Sequence, residues 1–228
     1  MRLGEKKRIL LVILLFVPFL MVACNPALKG LKQAKTDWGK QDYPTLAAMD
    51  VSCKPSDEGC NQLHLIKGDA CFRLSKKGVE VALHYACAVN HLQMGIAQTT
   101  AWEMKGLNLN RAQTYENLLE SLRLLQDTKR GLEAEQLTRQ LVTSATDLLK
   151  AEPGHLAGVY FLNSGSYTLL RSELLRQNNP QKLCMDIKQI LQSLQNTETK
   201  AQGTKYAPNY KRLRLDVSAA KTTVTGCQ

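Results

Sequence analysis

The residues best able to do chemistry in this 228-residue chain are seven cysteines and four histidines. His84, Cys87 and His91 fall at i, i+3 and i+7, one face of a helix. With Cys71 on a partner helix, they would make a tetrahedral set of two imidazoles and two thiolates, a donor set that suits zinc. The competing reading joins Cys71 to Cys87 as a disulfide and leaves the histidines to pack or face solvent. An oxidising compartment favours that second reading. No metal or cofactor is therefore assigned, and His84, Cys87 and His91 stay as candidate ligands only. His64 and His155 are given no role. The chain lacks G-x-S-x-G (Asn163-Ser164-Gly165-Ser166 is only a small polar run), H-E-x-x-H, a Walker loop, G-x-G-x-x-G and C-x-x-C-H. It reads as non-enzymatic.

The compartment is argued from the N-terminus. Arg2, Lys6, Lys7 and Arg8 precede a continuous apolar run from Ile9 to Ala23. This is a signal peptide by its order of charge and apolar residues, too short for a comfortable span and interrupted by Pro18. The run ends Leu20-Met21-Val22-Ala23-Cys24, which resembles the lipobox of bacterial lipoprotein precursors. Met21 stands where that family usually has leucine. The resemblance implies cleavage after residue 23 and a diacylglycerol on the Cys24 thiol, with the membrane as partner through that anchor. A secretory leader followed by a chance cysteine is the competing reading. Asn25 stands where an Asp favours inner-membrane retention in enterobacterial lipoproteins, which leans towards the outer membrane, facing the periplasm.

With residues 1–23 removed, 205 remain as one expected domain, 24–228, enough for a core of its own. The net charge of +10 falls to +7 once the leader's four bases and one acid are gone. Anionic lipid, acidic glycan and acidic protein are all compatible partners. Nucleic acid is not expected in an exported chain, and 6% aromatic residues argue against a base-stacking platform.

With Cys24 acylated, Cys53, Cys60, Cys71, Cys87, Cys184 and Cys227 are left as disulfide candidates. Sequence alone does not choose among the connectivities, but local geometry gives a preference. Cys53 and Cys60 flank the turn-rich Lys54-Pro55-Ser56-Asp57-Glu58-Gly59. Cys71 and Cys87 are roughly symmetric about Lys77-Gly78-Val79, the expected turn of a helical hairpin. Cys184 and Cys227 would then pin the tail to a late helix. Buried free thiols are the alternative.

The elements that position these residues are helices. Leu63, Ile66, Ala70 and Leu74 form one apolar stripe; Tyr115, Leu118, Leu122 and Leu125 form a second. Leu137, Leu141, Ala145 and Leu148 form a third, and Leu183, Ile187, Ile190, Leu191 and Leu194 a fourth. Each follows the helical period. Breaks fall at Gly39, Gly78, Asn108 to Asn110, Gly131 and Pro153-Gly154. Asn179-Pro180 predicts an N-cap followed by a first-turn proline. In 210–221, Leu213, Leu215 and Val217 alternate like a strand, but an isolated strand has nothing to pair with, so a helix is expected. The basic residues Lys200, Lys205, Lys211, Arg212, Arg214 and Lys221, with Tyr206 and Tyr210 between them, read as a face for an anionic glycan or lipid, or as a solvated surface.

The stretch Leu63-His64-Leu65-Ile66-Lys67-Gly68-Asp69-Ala70-Cys71-Phe72 resembles the first helix of a tetratricopeptide (TPR) repeat, with Gly68 as the small residue and Phe72 as the following aromatic. Ala82 and Ala86 stand for the small residues of the second helix, two positions late. Ala34, Trp38 and Asp42-Tyr43 resemble another first helix. Leu141, Ala145, Leu148-Leu149 and Pro153 resemble the end of a second helix, with Val159-Tyr160-Phe161-Leu162 and Tyr167 opening the next unit. The spacing departs from the family's steady period. The resemblance implies an all-α fold, either antiparallel hairpins stacked as a TPR-like α-solenoid or a compact helical bundle. It also implies a non-enzymatic scaffold whose groove holds another protein of an envelope complex. Lipoproteins of this kind serve outer-membrane protein insertion, pilus or secretin biogenesis, or peptidoglycan-enzyme regulation. Others are accessory subunits of periplasmic solute uptake, so a solute-binding lipoprotein with a small-molecule ligand is the alternative.

Overall fold

The computed structural model describes residues 26–174 and 179–227; the expected signal peptide, 1–23, and the expected lipidation site Cys24 lie outside the described residues. The fold is all-α, with ten helices and no strand among the described residues. Helix α1 (Pro26–Gly39) buries Ala27, Leu31 and Ala34 along one stripe. The six-residue α2 (Tyr43–Ala48) starts where the Asp42 side chain accepts a hydrogen bond from Thr45 N at 3.2 Å, with Pro44 in its first turn.

Helices α3 (Cys60–Lys76) and α4 (Val81–Gln98) form the expected hairpin, turned at Gly78 with φ +81°. The facing pairs Cys71–Cys87, Gly68–Leu92, Leu65–Gly95 and Asn61–Gln98 step in opposite directions along the two helices, so these run antiparallel. A Cβ on Gly68 would stand 2.8 Å from the backbone nitrogen of Leu92, and one on Gly95 would stand 2.6 Å from the Leu65 side chain. The crossing is therefore reciprocal: each helix supplies a glycine to receive the other's leucine. Ala82 and Ala86, expected at this crossing, are instead exposed; Ala88 and Gly95 are buried, and a Cβ on Gly95 would meet Leu65 of α3.

Helix α5 (Ala101–Gly106) begins with a capping box: Thr100 Oγ1 accepts from Glu103 N at 3.2 Å and the Glu103 carboxylate accepts from Thr100 N at 2.8 Å. Helix α6 (Arg111–Asp127) is capped by Asn110, whose side chain accepts from Gln113 N at 3.1 Å. It is followed by α7 (Gly131–Ala151), α8 (Leu156–Leu174), α9 (Pro180–Ala201) and α10 (Ala207–Thr223). Asn179 caps α9 through Lys182 N at 3.0 Å, and Pro180 occupies its first turn, as its sequence predicts. The ambiguous tail is helical: Tyr210, Leu213 and Val217 are buried at helical spacing, whereas Leu215 is 53% exposed.

Each of α3, α4, α6, α7, α8, α9 and α10 packs on the next in that order, and α1 and α2 lie on α3. Short connections between consecutive helices make this the low-cost arrangement. The four apolar stripes face inward, Leu137 and Leu191 being only half-buried. They feed two cores. One runs from α1 to the start of α8 and includes Phe161; the other is built by α8, α9 and α10 and includes Val159. Tyr160 and Tyr206 pack against both. Helix α8 therefore shows apolar residues on two sides, Val159 and Phe161 pointing to different cores.

The cysteine pairs preferred from sequence stand at disulfide distance: Cys53–Cys60 at 2.04 Å, Cys71–Cys87 at 2.00 Å and Cys184–Cys227 at 2.05 Å. In the first, the turn folds back through Asp57, whose carboxylate accepts from Lys54 N at 2.9 Å.

Candidate functional site

The residues singled out for metal are committed elsewhere. His84 bonds through Nδ1 to the Val79 carbonyl at 2.8 Å, Cys87 is tied to Cys71, and His91 meets His64. The two imidazoles stack with centroids 4.9 Å apart and their Nδ1 atoms 2.7 Å apart, one donating and the other accepting. Burial, then the charge of Lys67, lowers the pKa of both; His91 is pushed down to about 4. Each ring is therefore held away from its charged form, and one neutral imidazole donates its Nδ1–H to the Nδ1 of the other.

His64, given no role from sequence, is thus the partner of His91. It also lies with the Cys53 and Cys60 sulfurs, all three ligand atoms within 4.8 Å of one another. Both sulfurs are in the disulfide and carry no thiolate, so the cluster offers one imidazole. The signal was present in the sequence: Cys60 stands one turn before His64, and the register set by Cys71 and Cys87 brings His64 near His91.

The larger feature is a half-open groove of about 810 Å³ on the face shared by α3, α6, α8 and α10. Each helix contributes a stripe at helical spacing. Helix α3 gives Phe72 and Lys76, and α6 gives Gln113, Asn117, Glu120 and Arg123. Helix α8 gives Tyr160, Ser164, Tyr167 and Arg171, and α10 gives Asn209, Arg212 and Asp216. The α9–α10 connection adds Lys205 and Tyr206.

Part of this lining is held by a buried polar network. Asn117 donates to Asp69 at 2.9 Å and accepts from Gln113 at 3.0 Å. Asp69, 2% exposed, is also paired with Arg73, whose guanidinium lies over the rings of Trp38 and Tyr43 at 5.3 and 5.1 Å. A buried carboxylate needs such partners. The chain of contacts fixes α6 against α3 and the first two helices.

At the other end, Glu116, 14% exposed at its side chain, accepts from Lys205 Nζ at 2.6 Å and stands 3.6 Å from His155 Nε2. Burial, then the charge of Glu116, drives the Tyr206 hydroxyl well above the ordinary tyrosine range. Tyr210, fully buried, donates from Oη to the Leu156 carbonyl at 2.8 Å. The tail read as one basic face is therefore divided. Tyr210 belongs to the core, Arg214 pairs with Glu198 at 2.8 Å, and Lys205 and Arg212 line the groove.

Five cations and three carboxylates line the groove. Lys76 pairs with Glu120, Arg123 with Asp127 at 3.1 Å, and Lys205 with Glu116 beside the groove. Among the described residues, Arg171, Arg212 and Asp216 make no ion pair, and all three are exposed.

Among the described residues, no helix is long and apolar enough to cross a membrane. No protein-family model matches the chain, and neither the curated proteins nor the solved structures searched contain a match.

Proposed function

We propose that this protein is an exported, lipid-anchored scaffold of the bacterial envelope that holds a segment of another envelope protein in its helical groove. The observation that carries the reading is the half-open groove of about 810 Å³ formed by stripes from four helices. A groove of this size has room for a polypeptide segment. The address rests on the leader and on Cys24, where acyl chains contribute about 0.8 kcal/mol per buried CH₂. Three disulfide pairs suit an oxidising compartment. Antiparallel hairpins packed in chain order support a TPR-like scaffold.

The test is crosslinking in the native membrane from a photoreactive residue at Thr168, in the groove, against one at Glu135, on the exposed side of α7. Recovery of one envelope protein from Thr168 and not from Glu135 is expected. Equal recovery from both, or none, would sink the scaffold reading. The groove's polar lining also suits a small polar solute, the alternative that equilibrium dialysis against candidate solutes would then take up. Radiolabelled palmitate should enter the wild-type chain and not Cys24→Ser.

A further inference from the structure

We infer that the segment held in the groove is acidic, its carboxylates taken by Arg171 of α8 and Arg212 of α10. This rests on the scaffold reading above and adds the chemistry of the partner. The argument is charge complementarity. Where the groove's other cations are neutralised by carboxylates of this chain, Arg171 and Arg212 have no ion-pair partner among the described residues, and both are exposed on the groove's lining. They come from two different helices of the C-terminal core, so they address a ligand lying across the groove rather than each other. A guanidinium receives a carboxylate through two parallel N–H donors, which fixes direction as well as strength. Tyr167, one turn before Arg171, donates its hydroxyl to the Asp216 carbonyl at 3.1 Å and offers a ring for the apolar parts of a bound chain. The carboxylate of Asp216 is the one like charge the ligand would meet unpaired.

The experiment uses the full chain in detergent and a short fluorescein-labelled peptide of alternating glutamate and tyrosine, with a lysine–tyrosine counterpart. Fluorescence anisotropy should show binding of the acidic peptide alone, weakening as salt is raised. Arg171→Gln and Arg212→Gln are each expected to weaken it about tenfold. Asp216→Asn should tighten it, and a gain of affinity does not come from misfolding. Circular dichroism checks that the variants fold.

Unchanged affinity in the double arginine variant, or equal binding of the lysine peptide, would overturn the inference. So would binding of glycerol phosphate, and not of peptide, that is lost in the same double variant, since it would assign the arginines to a lipid headgroup. If Thr168 still crosslinks a protein while the acidic peptide fails, only the acidic ligand falls. If both fail, the scaffold reading falls with it.

Discussion

The two cores of this molecule are held together by different means. The N-terminal one gathers α1 to α7 and the start of α8. It is tied by disulfides of short span, Cys53–Cys60 at a separation of 7 and Cys71–Cys87 at 16, and by a glycine-for-leucine crossing within one hairpin. The C-terminal core has three helices, shares α8 with its neighbour, and is closed by Cys184–Cys227 across 43 residues. A small core buries little apolar area for its length, so it depends more on constraint of the unfolded chain. Local packing secures the first region, and long-range tethering secures the second.

The largest test of this contrast is to remove the tethers one at a time. In the chain-entropy account, opening the Cys184–Cys227 loop costs about 4 kcal/mol and opening the Cys53–Cys60 loop about 2 kcal/mol. Cys184→Ser with Cys227→Ser should therefore lower the denaturant midpoint roughly twice as far as the other pair. Both tryptophans, Trp38 and Trp102, lie in the N-terminal part of the sequence. The C-terminal loss should thus appear first in circular dichroism and later in tryptophan fluorescence. Equal losses from the two double variants would remove the asymmetry.

Next in size, Gly95→Val should cost about 3 kcal/mol, because its added atoms meet Leu65 where a Cβ alone would stand 2.6 Å away. Gly78→Ala, where a Cβ meets nothing, should cost about 1 kcal/mol through its positive φ of +81° alone. Thermal unfolding of the two variants separates crowding at the crossing from backbone preference at the turn.

The His64–His91 pair gives the N-terminal region an acid limb. The folded pKa of His91 is depressed from 6.5 to about 4, so the unfolded chain binds the proton first. Its contribution is whole above pH 6.5 and is lost as pH falls towards about 4. His91→Gln should flatten this decline by about 1 kcal/mol, the ring being half-exposed and partly screened. A profile unchanged by the substitution would mean that another group sets the acid limb.

Much of this was legible in the sequence because one physical signal governed it. Apolar residues at helical spacing set the buried faces, and Asn110, Gly78 and Asn179-Pro180 mark ends through groups that only a helix terminus needs. The tail was harder, since Arg212 to Val217 alternates over too few residues for the two periods to separate. The His64–His91 contact was not read for another reason: it depends on the register of α3 against α4, not on spacing within either helix. The groove was only partly legible: Lys205 and Arg212 already read as part of a basic face, but Arg171 is an ordinary surface arginine until α8 and α10 are packed together. The Thr100–Glu103 capping box was in plain view and marks α5.

The smallest expected effect concerns the seam between the regions. Glu116 of α6 receives Lys205 at 2.6 Å, stands 3.6 Å from His155, and its charge acts on Tyr206. Lys205 is 62% exposed at its side chain, so this ion pair is worth little by itself. Glu116→Gln should cost about 1 kcal/mol and let the Tyr206 hydroxyl titrate lower, though burial still holds it above the ordinary range. Its larger consequence is for cooperativity, because Glu116 belongs to one side and Lys205 and Tyr206 arrive from the other. In the wild type, circular dichroism and tryptophan fluorescence should trace one transition; in Glu116→Gln they should separate. If they stay coincident, the coupling is carried by Tyr160 and Tyr206, which pack against both cores, and the charges at the seam serve only to orient the α9–α10 connection.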